Sequence, residues 1–182
     1  ENEKMVLDMN ALAQGYSVDY LADYLDMLGV KNYMVEVGGE VLCRGRNEYG
    51  EAWRIGVEKP IENSDIQHRQ VQLIVGFQDK KTAIATSGNY RKFFIEDGVK
   101  YTHTINPKTG YPSRDSLLSV TIIATDCMTA DGYATACLVS GFETAVKIVN
   151  DDPKLEGFFI YLDYKGNYQF YFSPGFNDYV IE

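Results

Sequence analysis

Asp131 and Thr135 are the side chains whose types and spacing speak most directly of chemistry. They stand four residues apart in Met128-Thr129-Ala130-Asp131-Gly132-Tyr133-Ala134-Thr135-Ala136, so on a helix a carboxylate and a hydroxyl share one face. The small Ala130, Ala134 and Ala136 allow another group to come close. Hard oxygen ligands, few of them from protein, are what Mg2+ takes, and it readily adds phosphate oxygens. The same spacing also suits a plainer role, with Asp131 favoured near the helix start and Thr135 bonded back to the chain.

Other segments offer weaker signals. Gly38-Gly39-Glu40 lies between two strand-like runs. Glycine there either lets backbone approach a phosphate or sugar or simply closes a hairpin. Ala85-Thr86-Ser87-Gly88-Asn89-Tyr90 ends a strand with hydroxyls and a glycine. Such a corner turns backbone N–H groups toward an anion or forms a bulge. His103 alternates with Tyr101 and Ile105 on one strand face, as a hydrogen-bonded core residue would and as a base could. His68 falls in a polar stretch and reads as solvated. No G-x-S-x-G surrounds Ser87, and Walker A, G-x-G-x-x-G and a His/Glu cluster are absent. Serine-hydrolase, P-loop, Rossmann and zinc-hydrolase chemistry therefore lack support in the sequence.

Several elements must position these residues. Asn10 is the predicted cap of a helix over 11–28, with Val18, Leu21, Ala22, Leu25 and Leu28 as its apolar stripe and Gly29 as its stop. Strands are predicted over 33–37, 41–45, 53–57, 71–77, 83–86, 91–95, 100–105 and 117–124, with an exposed loop over 58–69. Asp97-Gly98 and Asn106-Pro107-Lys108-Thr109-Gly110 read as turns. A helix from about Met128, capped by Thr125 or Asp126, is separated by Gly141 from a second over 143–150. A hairpin over 158–162 and 168–172 turns at Lys165-Gly166-Asn167. Strands joined as hairpins, with few helices, make this an α+β pattern, a mostly antiparallel sheet with packed helices.

Composition sets the outer limits. The 182 residues, 45% hydrophobic and 24% charged, fit one globular domain over 1–182 and exclude disorder as the main state. No apolar run reaches the ~20 residues of a transmembrane segment. Lys plus Arg is 17 against 26 for Asp plus Glu, a net charge of −9. Nucleic acid and anionic membrane surface are poor partners for such a chain, and an anionic ligand needs local neutralisation, for which a divalent metal is the obvious device. Cys43, Cys127 and Cys137 are odd in number and form no C-x-x-C, which argues against structural zinc and disulfide frameworks. No signal peptide is visible. Glu1-Asn2-Glu3-Lys4 runs straight into a strand-like Met5-Val6-Leu7, which reads as a processed or trimmed piece of something longer.

Five of these segments together resemble, in order, the motifs of the ApbE family of flavin transferases, also known as thiamine biosynthesis lipoproteins. Met9-Asn10-Ala11-Leu12-Ala13-Gln14-Gly15-Tyr16-Ser17-Val18-Asp19 resembles its D-x-G-A-I-A-K-G-Y-A-V-D segment, and Val35-Glu36-Val37-Gly38-Gly39-Glu40 its V-D-x-G-G-D/E hairpin. Ala85 to Tyr90 is similar to A-T-S-G-D-Y, His103-Thr104-Ile105-Asn106-Pro107-Lys108-Thr109-Gly110 to H-I-I-D-P-x-T-G, and Met128 to Ala136 to M-x-A-D-A-L-A-T-A.

The resemblance implies a T-fold-like architecture and a Mg2+-dependent enzyme that moves FMN from FAD to a Thr or Ser hydroxyl of a target protein, releasing AMP. It assigns the metal to Asp131, Thr135 and the Ala11 carbonyl. Gln14, Gly38, Gly39, Glu40, Ser87, Gly88 and His103 line FAD, and His103 or Asp131 takes the hydroxyl proton. It also implies a flavin acceptor among membrane redox subunits and a lipid anchor on the periplasmic face of the bacterial inner membrane. The anchoring Cys and part of the FAD pocket are expected in a further N-terminal region absent from this sequence. Gln14 stands where the family pattern usually has Lys, which shifts phosphate neutralisation toward the metal or toward other cations, although Gln still donates a hydrogen bond. An FAD pyrophosphatase and a flavin-binding module without turnover are the alternatives. An interaction domain presenting the 14 tyrosines leaves the five motifs unexplained.

Overall fold

The structure is a computed structural model that describes residues 8–60, 70–89, 93–96, 99–102, 110 and 116–182. Six strands form one sheet in the order β1-β2-β5-β8-β9-β10: β1 Tyr33–Val37, β2 Glu40–Arg44, β5 Thr82–Gly88, β8 Leu117–Ala124, β9 Glu156–Leu162 and β10 Tyr168–Phe172. Every neighbouring pair is antiparallel. Two further hairpins stand apart from it, β3 Trp53–Glu58 with β4 Val71–Phe77, and β6 Phe93–Glu96 with β7 Val99–Thr102.

Side chains alternate along a strand, and here both faces of the sheet are covered. Leu42, Ala83, Ala85, Val120, Ile122 and Phe159 face the helices. Val41, Cys43, Ile84, Ile123, Phe158 and Ile160 face the β3–β4 hairpin, packing with Val57, Leu73, Val75 and Phe77. A strand buried on both sides reads as an unbroken apolar run, which is why the strand predicted over 117–124 coincides with β8. Phe176, fully buried in the short 3-10 turn Phe176–Asp178, plugs the hairpin side. Pro174-Gly175, just before it, is the turn signal in the sequence.

Three helices cover the other face: α1 Asn10–Met27 over β1 and β2, α2 Cys127–Ser140 over β5 and β8, and α3 Phe142–Asp151 over β9. Two helix junctions match expectation. Gly29 (φ 78°) follows α1 and Gly141 (φ 82°) divides α2 from α3, backbone conformations that glycine adopts without penalty. The start of α1 differs. Met9 is the cap residue and Asn10 is already helical, because Asp8 takes the Asn10 N–H at 2.8 Å. The apolar stripe is also narrower than predicted. Gly15, Val18 and Ala22 are buried, while Leu21 and Leu28 are 45% and 62% exposed, lying roughly a quarter turn round the helix.

Candidate functional site

Of the predicted residues, Asp131 lies at the seam between α1 and α2, Thr135 meets Ser87, and Gln14 lies against the Gly38 turn. Gly15 in mid-helix is the key to how close the two helices come: a Cβ there would lie 2.4 Å from the Cys127 carbonyl oxygen. Glycine inside a helix costs about 1 kcal/mol against alanine, so its presence marks this approach. The bare Gly15 N–H donates to Asp131 Oδ2 at 3.0 Å. That N–H is also the donor the Ala11 carbonyl would take within the helix, so Ala11 shares it and keeps acceptor capacity to spare.

Asp131 is only 5% exposed. Burial pushes its carboxyl above the ordinary range, partly countered by the Gly15 N–H. Thr135, one turn on, exchanges a hydrogen bond with Ser87 at the end of β5, Oγ1 to Oγ at 3.0 Å. The β1–β2 turn closes the site from the other side. Gly38 has φ 71°, and a Cβ on it would fall 1.9 Å from Gln14 Nε2 and 3.3 Å from Glu40 Oε2, so the glycine makes room for a Gln14–turn contact. Glu40, 8% exposed, has its Oε2 buried without a partner. Its carboxyl is raised by burial and then by the nearby charges of Asp131 and Glu36, against a backbone N–H that lowers it.

Two buried carboxylates thus lie near each other, Asp131 on the Gly15 N–H and Glu40 on its own backbone N–H, with one Glu40 oxygen orphaned, a state that a cation would relieve. The donor set fits Mg2+: a carboxylate, a hydroxyl and a main-chain carbonyl are all hard oxygens. Among the described residues no group of three or more His, Cys, Asp or Glu could hold a metal by itself. An open groove of about 350 Å3 lined by Leu12, Met128, Thr129, Gly132, Tyr133 and Ala136 runs beside it.

Gly39 (φ 114°) forms the exposed tip of the turn, and Gly88 ends β5 opposite Ser119. His103 and Tyr90 lie outside the described residues, as do His68, Asp97-Gly98, Ile105, Met5-Val6-Leu7 and most of the 106–110 turn. Two residues carry contacts that the sequence reading gave no role. Gly15 holds Asp131, and Asp19, one turn further along α1, accepts from the N–H groups of Cys127 and Met128, both at 2.8 Å. The mid-helix glycine was the available signal.

The sequence model of the ApbE family matches residues 1–159. The chain is 46% identical over 154 residues to the FAD:protein FMN transferase of Vibrio cholerae, covering 84% of this chain and 44% of that protein. The solved structure of the V. cholerae flavin transferase ApbE superposes with a TM-score of 0.82 at 39% identity, covering 97% of this chain and 53% of that one. The ApbE protein of Thermotoga maritima gives a TM-score of 0.79 at 31% identity over 97% of this chain and 54% of that one. The chain therefore spans about half the length of the relatives it matches.

Proposed function

Since the chain belongs to the ApbE family, we propose that it carries the metal and nucleotide side of a site that transfers FMN from FAD to a Thr or Ser hydroxyl of a target protein, with AMP as the other product. The observation that carries this is the pairing of buried Asp131 with Glu40, whose oxygen has no partner, at the junction of α1, α2 and the β1–β2 turn. The relatives, FAD:protein FMN transferases, suggest the reaction class.

In the reaction, the acceptor hydroxyl oxygen forms a bond to the FMN phosphorus, the bond to the bridging oxygen breaks, and AMP leaves with that oxygen. Asp131, Thr135 and the Ala11 carbonyl would hold Mg2+, which when bound neutralises pyrophosphate charge and polarises the phosphorus. Gln14 places an N–H donor beside the Gly38 turn, where it meets phosphate oxygen without adding charge. Glu40 Oε2 accepts a hydrogen bond from the bound dinucleotide. The hydroxyl proton passes to His103 or Asp131. A carboxylate already committed to the Gly15 N–H and to a cation is the weaker base of the two.

A membrane redox subunit as acceptor and a setting at the cell envelope belong to the same proposal and rest on the family resemblance. Among the described residues no helix is long and apolar enough to cross a membrane. The test is Asp131→Ala in the protein at its natural length, with AMP release and acceptor-peptide mass both followed. Unchanged flavinylation overturns the reading, and free FMN with AMP in place of labelled peptide assigns hydrolysis instead.

A further inference from the structure

We propose that Asp19 is a positioning residue for the metal-side carboxylate, setting Asp131 by holding the first turn of α2 against α1. The proposal rests on the reading of Asp131 as a metal ligand. The side chain of Asp126, the cap residue of α2, takes only the Thr129 N–H, at 2.8 Å. The two preceding N–H groups, of Cys127 and Met128, go to the two carboxylate oxygens of Asp19, each at 2.8 Å. All three donors of the first turn are thereby used, two of them by a side chain more than 100 residues away.

The arrangement is reciprocal. Gly15 and Asp19 are one turn apart on α1, and Cys127 and Asp131 are one turn apart on α2. Each helix gives a carboxylate to the other's backbone: Asp19 to Cys127 and Met128, and Asp131 to Gly15. The Cys127 carbonyl also packs on Gly15, which leaves no space for a side chain. Helix α2 therefore can neither rotate nor slide along α1 without breaking the Asp19 bonds. Asp131, one turn further on, meets the Gly15 N–H in the helix register that these bonds hold. An ordinary helix cap stabilises the helix that it ends. This one joins two helices at the level of the proposed ion.

Asp19→Asn keeps the size of the side chain but sets an amide N–H2 against one of the two backbone donors. With Mn2+ as the probe, followed by electron paramagnetic resonance in the presence of FAD, Asp19→Asn in the protein at its natural length is expected to weaken Mn2+ binding about tenfold, as loss of outer support for a ligand does. Asp126→Ala removes the other cap of the same turn and is expected to leave Mn2+ affinity within about twofold. Asp19→Glu, which retains both oxygens, should recover part of the loss and serves if Asp19→Asn does not fold. Equal effects of Asp19→Asn and Asp126→Ala reduce Asp19 to a structural cap and overturn the proposal. So does wild-type Mn2+ affinity in Asp19→Asn while Asp131→Ala binds weakly. Wild-type affinity in Asp131→Ala overturns the metal reading itself, and the role of Asp19 with it.

Discussion

Two carboxylate clusters flank α1, and they are built to opposite ends. At its C-terminal end Asp26 accepts from Tyr33 Oη at 2.8 Å, from Lys81 Nζ at 3.3 Å and from Arg44. Burial pushes its carboxyl up, but those donors outweigh it and hold the group below the usual carboxylate range. Toward the N-terminal end, Glu40 and Asp131 have one backbone donor between them besides the Glu40 main chain, and both carboxyls are raised. Local charge sets the contrast: Arg44 and Lys81 converge on Asp26, with Asp23 also beside Lys81, whereas Glu40 meets the like charges of Asp131 and Glu36. One cluster is satisfied by the protein's own donors, and the other keeps an orphaned oxygen that the proposed cation site would relieve. Unpaired buried charge is costly, and a chain that tolerates it at one place marks that place as a site.

The largest effect expected follows from removing the unsatisfied cluster's central group. Asp131→Ala should lower AMP release by about a thousandfold, the several kcal/mol that a metal contributes to a charged transition state, while Asp26→Ala leaves turnover within about twofold. A smaller loss at Asp131 than at Asp26 would erase the distinction between the clusters. Next in size is Gly15→Ala. The Cβ would meet backbone atoms of Cys127 and Met128, which cannot swing aside. Overpacking of about 1–3 kcal/mol, set against a helix-propensity gain of about 1 kcal/mol, gives a net destabilisation of up to about 2 kcal/mol in urea unfolding. A stabilised variant would show that the helices are not in contact there.

The third effect has the opposite sign. Glu40→Gln, measured without divalent metal at neutral pH, should stabilise the protein by roughly 1 kcal/mol, because a buried charge without a partner is replaced by a neutral amide. The pH dependence carries the same sign. A carboxyl raised in the folded state contributes stability that is intact below its ordinary unfolded value, roughly 4.3 for Glu, and lost as pH climbs through the folded value. Metal-free stability should therefore decline above that range in the native chain and decline less in Glu40→Gln, as thermal melts across pH 4 to about 8 would register. A destabilised Glu40→Gln at every pH would mean that Glu40 has a partner of its own.

Much of the fold was legible in the residues, and the reason differs by element. The β8 run is apolar and β-branched, so its strand was readable end to end, and Gly29 and Gly141 mark their helix ends because few other residues adopt a positive φ. That β3–β4 covers the sheet opposite the helices was not readable, since a hairpin's pattern records which side chains face inward but not which surface they face. In the site, Asp131 and Thr135 were found through helical spacing. Their partners were not, because Gly15 N–H to Asp131 is a backbone contact across 116 residues, and no periodicity encodes it. The difference between Asp26 and Glu40 was equally invisible: each is an acidic residue in an apolar neighbourhood, and only the fold shows that Arg44, Tyr33 and Lys81 converge on one of them.

The smallest effect tests the satisfied cluster by the same linkage run in reverse. Because Asp26 is depressed in the folded state, its contribution is present above the unfolded carboxylate value, roughly 3.9, and disappears as pH falls through the folded one. The pairs formed by Asp26, Arg44 and Lys81 sit at the edge of solvent, with side chains 27–32% exposed, so Asp26→Asn should cost no more than about 0.5–1 kcal/mol at neutral pH. That cost should vanish below the folded value and shrink in molar salt. Glu40→Gln behaves differently on both axes: its gain appears as pH rises, and it is less sensitive to salt because Glu40 is buried. Should the two variants instead shift stability in the same direction across the pH range, both clusters would be of one kind, and the cation would have no preferred end of α1.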